Sequence, residues 1–335
     1  KAGGGTRAHH KVLRQLVEAA GVPVVLSPGS SGVIADGHAQ NMHVGGSKGS
    51  ISGNYAMREA DAVIFIGSRG VCQADCSGVG YPNAQAVLNI NGDFGDLAHY
   101  ANTTVLPGDI TAVLERLIAT LGENTGSDIR QSWLRDCAAK KAEWSDFKKI
   151  RFDAEPLADE VWQQPALTQP AALHTVSSFA NKMGAIKFFD AGDVQANGFQ
   201  IVEDDAPGQT YTETGASFMG FSGSALLGSA YVKDAKYGIA FTGDGSFMMN
   251  PQILIDGVEH GVRGMIALFD NRRMAAITGL QHDQYGKEFK TNDSVPVDYV
   301  AMAGSVTGVK AIHAGFSKAT LKAALGEAFA HDGLS

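Results

Sequence analysis

Gly243-Asp244-Gly245-Ser246 and Asp270-Asn271-Arg272-Arg273 are the two turns of this chain whose residues are best suited to hold a metal ion against a diphosphate. Each follows a continuous apolar run, at residues 237–241 and 265–269, and Asn271 stands 27 residues beyond Asp244. The stretch between them, 250–260, is long enough for a helix. The order is therefore strand, turn, helix, strand, turn, and the two side chains emerge at neighbouring strand ends. Magnesium takes hard oxygen ligands in an octahedral shell and is commonly held by one or two carboxylates plus phosphate oxygens. Asp244 offers a carboxylate oxygen, Asn271 an amide oxygen, and a turn carbonyl near Arg273 a third ligand; diphosphate and water complete the shell. The glycines flanking Asp244 let backbone N–H groups approach phosphate, and a helix expected from near Ser246 adds its dipole. Gly-Asp-Gly alone is a common turn. The preceding strand and the second strand ending in Asp-Asn are what give it meaning.

Turns of this kind need strands that end side by side. In the first part of the chain, residues 9–20 place Val12, Leu13, Leu16, Val17 and Ala20 on one helical face, with Gly21 as the C-terminal cap. Residues 22–26, 62–67 and 85–90 are continuous apolar runs, the mark of strands buried on both faces of a parallel sheet. An amphipathic helix over 110–121 closes this unit. Residues 122–166 carry the tryptophans, many charges and little strand signal, and read as a helical connector. A second unit begins near Leu167, with Thr168 as N-cap and Pro170 in the first turn of a helix over 171–182. Its strands fall at 185–189, 237–241 and 265–269. The expected fold class is α/β: two doubly wound parallel-sheet domains, 1–121 and 167–335, joined by the connector 122–166. The opening Lys1-Ala2-Gly3-Gly4-Gly5-Thr6 reads as a strand-to-helix turn without its strand. Ser335 follows a helix-like stretch, 316–331, where another strand would begin. The chain is therefore expected to be a piece of a longer protein, truncated at the N-terminal side of its first domain.

Composition narrows the function. At 335 residues, 44% hydrophobic and 19% charged, the chain suits two well-buried domains. The 41 glycines are spread along it as turn residues rather than gathered in a linker. A net charge of −8 argues against a nucleic-acid partner. No apolar run approaches a membrane span and no leader opens the chain, which points to the cytoplasm. Of the three cysteines, Cys72 and Cys76 have no second Cys/His pair to complete a zinc site. Glu259 and His260, at a helix end, read as solvated or capping groups.

The span from Gly243-Asp244-Gly245-Ser246 to Phe269-Asp270-Asn271 resembles the thiamine diphosphate signature of the acetolactate synthase and pyruvate oxidase group, and the resemblance extends over nearly the whole chain. It implies a Rossmann-like central domain and a C-terminal domain that binds the diphosphate of thiamine diphosphate through Mg2+, with Asp244, Asn271 and Arg273 as the metal-binding positions. Phe218-Met219-Gly220-Phe221 matches the family segment in which Met219 wedges under the cofactor and bends it. The turn 191–196 aligns with the first diphosphate loop, with Gln195 at a position often Gln and Ala196 where His is common. Carried over residue by residue, the cofactor contacts are Asp193, Val194, Gln195, Ser217, Met219, Gly243, Asp244, Gly245, Ser246, Asn271, Arg273, Met274 and Ala275. Gly3-Gly4-Gly5, Gly67-Ser68-Arg69 and Asn91-Gly92-Asp93 fall where some relatives bind FAD, but Asn91 replaces the acidic residue that would hold the ribose, and a structural role is favoured. Residues 269–274, 277–281 and 286–289 look closest to the trihydroxycyclohexanedione hydrolase branch. The implied reaction makes or breaks a C–C bond beside a carbonyl of a 2-oxo acid or cyclic dione, in a homo-oligomer (dimer or tetramer). The glutamate that activates the cofactor is expected on a separate N-terminal domain, so no catalytic residue is assigned here. Two other readings remain: a non-catalytic subunit paired with a pyrimidine-binding chain, and a magnesium-dependent phosphohydrolase with Asp244 as nucleophile.

Overall fold

The computed structural model describes residues 1–69, 78–97, 103–121, 128–289 and 293–335. Cys72 and Cys76 lie outside them. The chain divides into two compact units, Lys1–Lys149 with Val202–Gln209, and Ile150–Ile201 with Thr210–Ser335.

In the first unit the strands β1 (Val24–Leu26), β2 (Asn41–Val44), β3 (Ala62–Ile66), β4 (Ala86–Asn91) and β5 (Thr103–Pro107) are all parallel. Ala2 bridges Leu26 on one side and Ile66 on the other, which joins the pair β1–β2 to the trio β3–β4–β5 in one sheet. Three apolar runs correspond to β1, β3 and β4. The strand β2 escapes that pattern because it carries Asn41 and His43, both buried, with Asn41 Nδ2 donating to the Ile34 and Ala35 carbonyls. Helix α1 (His10–Ala20) buries the expected face and stops at Gly21 in the left-handed conformation, its N–H donating to Val17 O. Helices α2 (Ile51–Glu59) and α3 (Ile110–Thr120) complete the layers. In the stretch expected as a connector, one 25-residue helix, α4 (Asp128–Phe152), packs Cys137 into a cluster with Val25, Met42, Ala56 and Met57. Burial pushes the Cys137 thiol up to about 12, so it is an inert core group.

The second unit opens with an antiparallel pair, β6 (Leu157–Asp159) and β7 (Gln164–Ala166), and helix α5 (Gln169–Met183). Thr168 holds the N-cap position of α5, but its side chain makes no capping bond, contrary to the sequence expectation. The sheet that follows is parallel throughout, in the order β11 (Gly264–Phe269), β10 (Gly238–Gly243), β8 (Ile186–Phe189), β9 (Thr210–Thr212). From β8 the chain passes through α6 (Asp193–Ile201) to β9 on one side. It then returns through α7 (Phe221–Ser229) to β10 on the other. A crevice at such a reversal, outside the carboxyl ends of the strands, is where open α/β sheets bind ligands. Stacked rings of Phe189 and Phe241, 4.3 Å apart, and of Phe241 and Phe269, 6.3 Å apart, run across the sheet near those ends.

In the first unit the glycine-rich opening is explained by backbone proximity. A Cβ on Gly3 would stand 2.2 Å from the Gly67 carbonyl oxygen, and one on Gly5 would stand 3.0 Å from Gly67 Cα. Neither neighbour is a side chain that can swing away. Gly3→Ala is expected to destabilise the first unit by about 1–3 kcal/mol, the cost of overpacking a rigid contact, as read by urea unfolding.

Candidate cofactor site at the carboxyl ends of the second sheet

The register of β10 against β11 pairs Gly243 with Phe269, so the next residues, Asp244 and Asp270, leave adjacent strands side by side. Asp244 is buried and is the first residue of a four-residue helix, Asp244–Phe247, which begins two residues earlier than the sequence suggested. Burial pushes its carboxyl above the usual range; the Gly245 N–H opposes that shift and the charge of Asp270 adds to it. Asp270 is raised by burial as well, against a hydrogen bond from the Arg272 N–H at 3.0 Å. Tyr299, its ring edge-on to Phe247, is pushed up to about 12 by burial and by both acids. Two crowded, desolvated carboxylates are the electrostatic setting that a divalent cation relieves. Among the described residues no three His, Cys, Asp or Glu side chains gather into a metal cluster. A cation here would therefore need the mixed donor set of carboxylate, amide, carbonyl and phosphate.

The turn after β11 is held by its own side chains. Asn271 Oδ1 accepts the Arg273 N–H at 3.0 Å, and the Arg273 guanidinium reaches Asp293 at 2.7 Å and Glu288 at 3.3 Å. Arg272 lies between them at φ 53, with its guanidinium 4.3 Å above the Trp162 ring. Met274 occupies the N-cap position of helix α8 (Ala275–Tyr285), whose first residue is Ala275. A cleft of about 970 Å³ beside β11 is lined by Trp162, Asp270, Asn271, Arg272, Tyr299 and His313, among others.

On the β10 side, a Cβ at Gly243 would meet Val194 Cγ2 at 3.8 Å, and one at Gly245 would meet Met219 Cε at 3.5 Å. The structure thus gathers Val194, Met219, Gly243, Asp244, Gly245 and the buried Ser246 around one turn. Asp193 begins α6. Gln195 is buried, and its Nε2 donates to Thr212 Oγ1 and to the Glu213 carbonyl, both at 2.8 Å. Its Oε1 accepts from Ser217 Oγ at 3.2 Å.

Asp190, which sequence reasoning passed over, holds this assembly together. It is 1% exposed. Oδ1 accepts the N–H groups of Ala191 and Gly220, at 3.0 and 2.8 Å, and Oδ2 accepts the hydroxyls of Ser222 and Thr242, at 2.9 and 2.8 Å. Its only sequence signal is a lone acid directly after the apolar run of β8.

In the first unit, the Asn91 side chain donates to Ser68 O at 3.3 Å and accepts the Asp93 N–H at 3.1 Å. These contacts, with the glycine approaches above, give all three glycine-bearing strand ends a packing role.

Two outcomes are expected. Asp190→Ala strands several buried donors and should cost about 3 kcal/mol or more in denaturant unfolding of the second unit. Asp244 and Asp270 behave in the opposite sense. Their folded carboxyls titrate above the unfolded value, so ionising them costs stability. In metal-free protein their contribution is most favourable near or below pH 3.8 and is lost as pH rises through the raised folded values. Asp244→Asn, which keeps the shape without the charge, should therefore raise the melting temperature of the ligand-free chain at neutral pH.

Residues 190–335 match the family model for the thiamine pyrophosphate enzyme C-terminal TPP binding domain, and residues 1–117 match that for the thiamine pyrophosphate enzyme central domain. A probable acetolactate synthase large subunit of Methanococcus aeolicus is 24% identical over 322 residues, covering 92% of this chain and 52% of the relative. The 3D-(3,5/4)-trihydroxycyclohexane-1,2-dione hydrolase of Bacillus subtilis (strain 168) is 28% identical over 339 residues, covering 94% and 52%. The hydrolase of the same name from Lacticaseibacillus casei is 27% identical over 328 residues, covering 90% and 50%. The chain spans about half the length of these curated relatives. Both matched domains, together with the strand-end turns they contain, place this chain in the thiamine pyrophosphate enzyme family.

Proposed function

We propose that this chain holds thiamine diphosphate through Mg2+ and serves an enzyme that makes or breaks a C–C bond next to a carbonyl. The observation that carries this reading is the buried Asp244 carboxylate, raised by burial and crowded by Asp270, at a glycine-flanked strand end. Asp244, the Asn271 amide oxygen and the Arg273 carbonyl are the proposed metal ligands. Val194, Gly243, Gly245 and Ser246 line the diphosphate on one side, with Asp193 at the start of α6 and Met274 and Ala275 at the start of α8. Gln195 and Ser217 support the loop that carries Met219, whose side chain would pack against the cofactor. When bound, the cofactor supplies a carbon nucleophile that adds to a carbonyl and stabilises the resulting carbanion. The chain's own part would be to hold the metal ion through Asp244, Asn271 and the Arg273 carbonyl, to orient the diphosphate, and to set Met219 beside Gly245 against the cofactor.

The substrate is proposed to be a 2-oxo acid or a cyclic 1,2-dione, with the hydrolases named above favouring the dione and the synthase favouring carboligation. The activating glutamate is assigned to a further domain, and the enzyme to a cytoplasmic homo-oligomer, a dimer or tetramer. Among the described residues no helix is long and apolar enough to cross a membrane.

Thermal unfolding of the full protein with Mg2+ and thiamine diphosphate together should rise by on the order of 5 °C at saturating cofactor, because a ligand bound only to the folded state stabilises it by mass action. Either component alone should do less, and Asp244→Ala should abolish the shift. A well-folded wild type that shows no shift would rule the proposal out.

A further inference from the structure

We propose that Glu213 is a positioning residue: its carboxylate gathers the backbone of residues 215–218 and so sets Met219 against Gly245. This rests on the reading of the Gly243–Ser246 turn as the diphosphate end of the cofactor site.

The segment between β9 and α7 leaves the sheet and must deliver Met219 to the β10 turn. It has no helix or strand of its own to fix its backbone N–H groups. Instead they converge on one side chain. Glu213 Oε1 accepts the Gly215 N–H at 2.5 Å, and Oε2 accepts those of Ala216 at 2.8 Å and Phe218 at 3.4 Å. Successive N–H groups pointing inward form an anion-binding concavity, and here the anion is the protein's own. Burial pushes this carboxyl up, but the N–H groups of Gly215, Ala216, Phe218 and Ser217 outweigh it and hold it below the usual range.

Two further contacts make the loop a device rather than a local turn. Ser217 sits at φ 55, a left-handed conformation unfavourable for a side chain other than glycine. Its hydroxyl donates to Gln195 Oε1, and Gln195 Nε2 donates to the Glu213 carbonyl, which ties the loop to α6. On the far side of Met219, the Gly220 N–H is held by Asp190. Met219 is thus anchored on both flanks. A methionine is unbranched and flexible, so the place of its thioether depends on how firmly its backbone is set. The hydrogen bonds of the Glu213 carboxylate all go to its own loop, so its influence on the Gly243–Ser246 turn passes through Met219.

Glu213→Gln keeps the shape but turns an amide N–H2 toward N–H donors. The experiment is a thermal-shift titration with thiamine diphosphate at saturating Mg2+, on wild type, Glu213→Gln, Met219→Ala and the double variant. Each single change should raise the half-saturating cofactor concentration about tenfold, the scale of one charged hydrogen bond. The double variant should be no worse than Met219→Ala alone, because both remove the same presentation. In ligand-free protein, hydrogen exchange at Gly215, Ala216 and Phe218 should speed up about tenfold in Glu213→Gln. Additive losses in the double variant overturn the inference while leaving the cofactor reading intact. So does a Glu213→Gln effect confined to ligand-free stability. A wild type that Mg2+ and thiamine diphosphate do not stabilise removes the cofactor reading, and the inference with it.

Discussion

The Asp190 carboxylate is the contact on which the second unit's site depends. A buried carboxylate is tolerable only when its oxygens are fully engaged by donors. Here the donors come from three parts of the chain: Ala191 beyond its own strand, Gly220 and Ser222 at the start of α7, and Thr242 near the end of β10. The requirement to satisfy that one charge fixes where the Met219 loop ends relative to the strand that delivers Asp244. Removing it would take the acceptor from two amide N–H groups and two hydroxyls at once.

Asp190 and Asp244 show how neighbouring acids at strand ends are given different roles. Asp190 is surrounded by neutral donors and is a structural charge. Asp244 is also buried, faces a second acid and has mainly the Gly245 N–H to offset that. The same residue type is a satisfied fastener in one place and a crowded carboxyl with few donors in the other, and the difference lies in the donor count. Glu213 follows the first pattern on a smaller scale, with its donors drawn from its own loop.

The first unit applies similar strand-end geometry to a different end. Gly3, Gly5 and Gly67 bring two backbone turns into direct contact, and Asn91 spends its amide on Ser68 and Asp93. The space a Cβ would take at Gly3 is filled by the Gly67 carbonyl oxygen, so the glycine is required by packing.

The strands at 62–66, 86–91, 186–189, 238–243 and 264–269 were legible from continuous apolarity, as were the Gly21 cap and the pairing of the Asp244 and Asn271 turns at adjacent strand ends. These follow from burial and chirality, which act residue by residue and leave a periodic trace in the sequence. The family resemblance carried by those turns needed no coordinates either. Only the tertiary structure decided that Asp270 crowds Asp244, since that follows from the register Gly243 to Phe269. Only it turned Gln195 inward, made Glu213 the acceptor for its loop, and gave β2 its buried Asn41 and His43. Each of these is a choice of hydrogen-bond partner or near neighbour, often made across long sequence separations, as between Asp190 and Thr242. A linear pattern records whether a side chain is buried, but not which distant group it meets there.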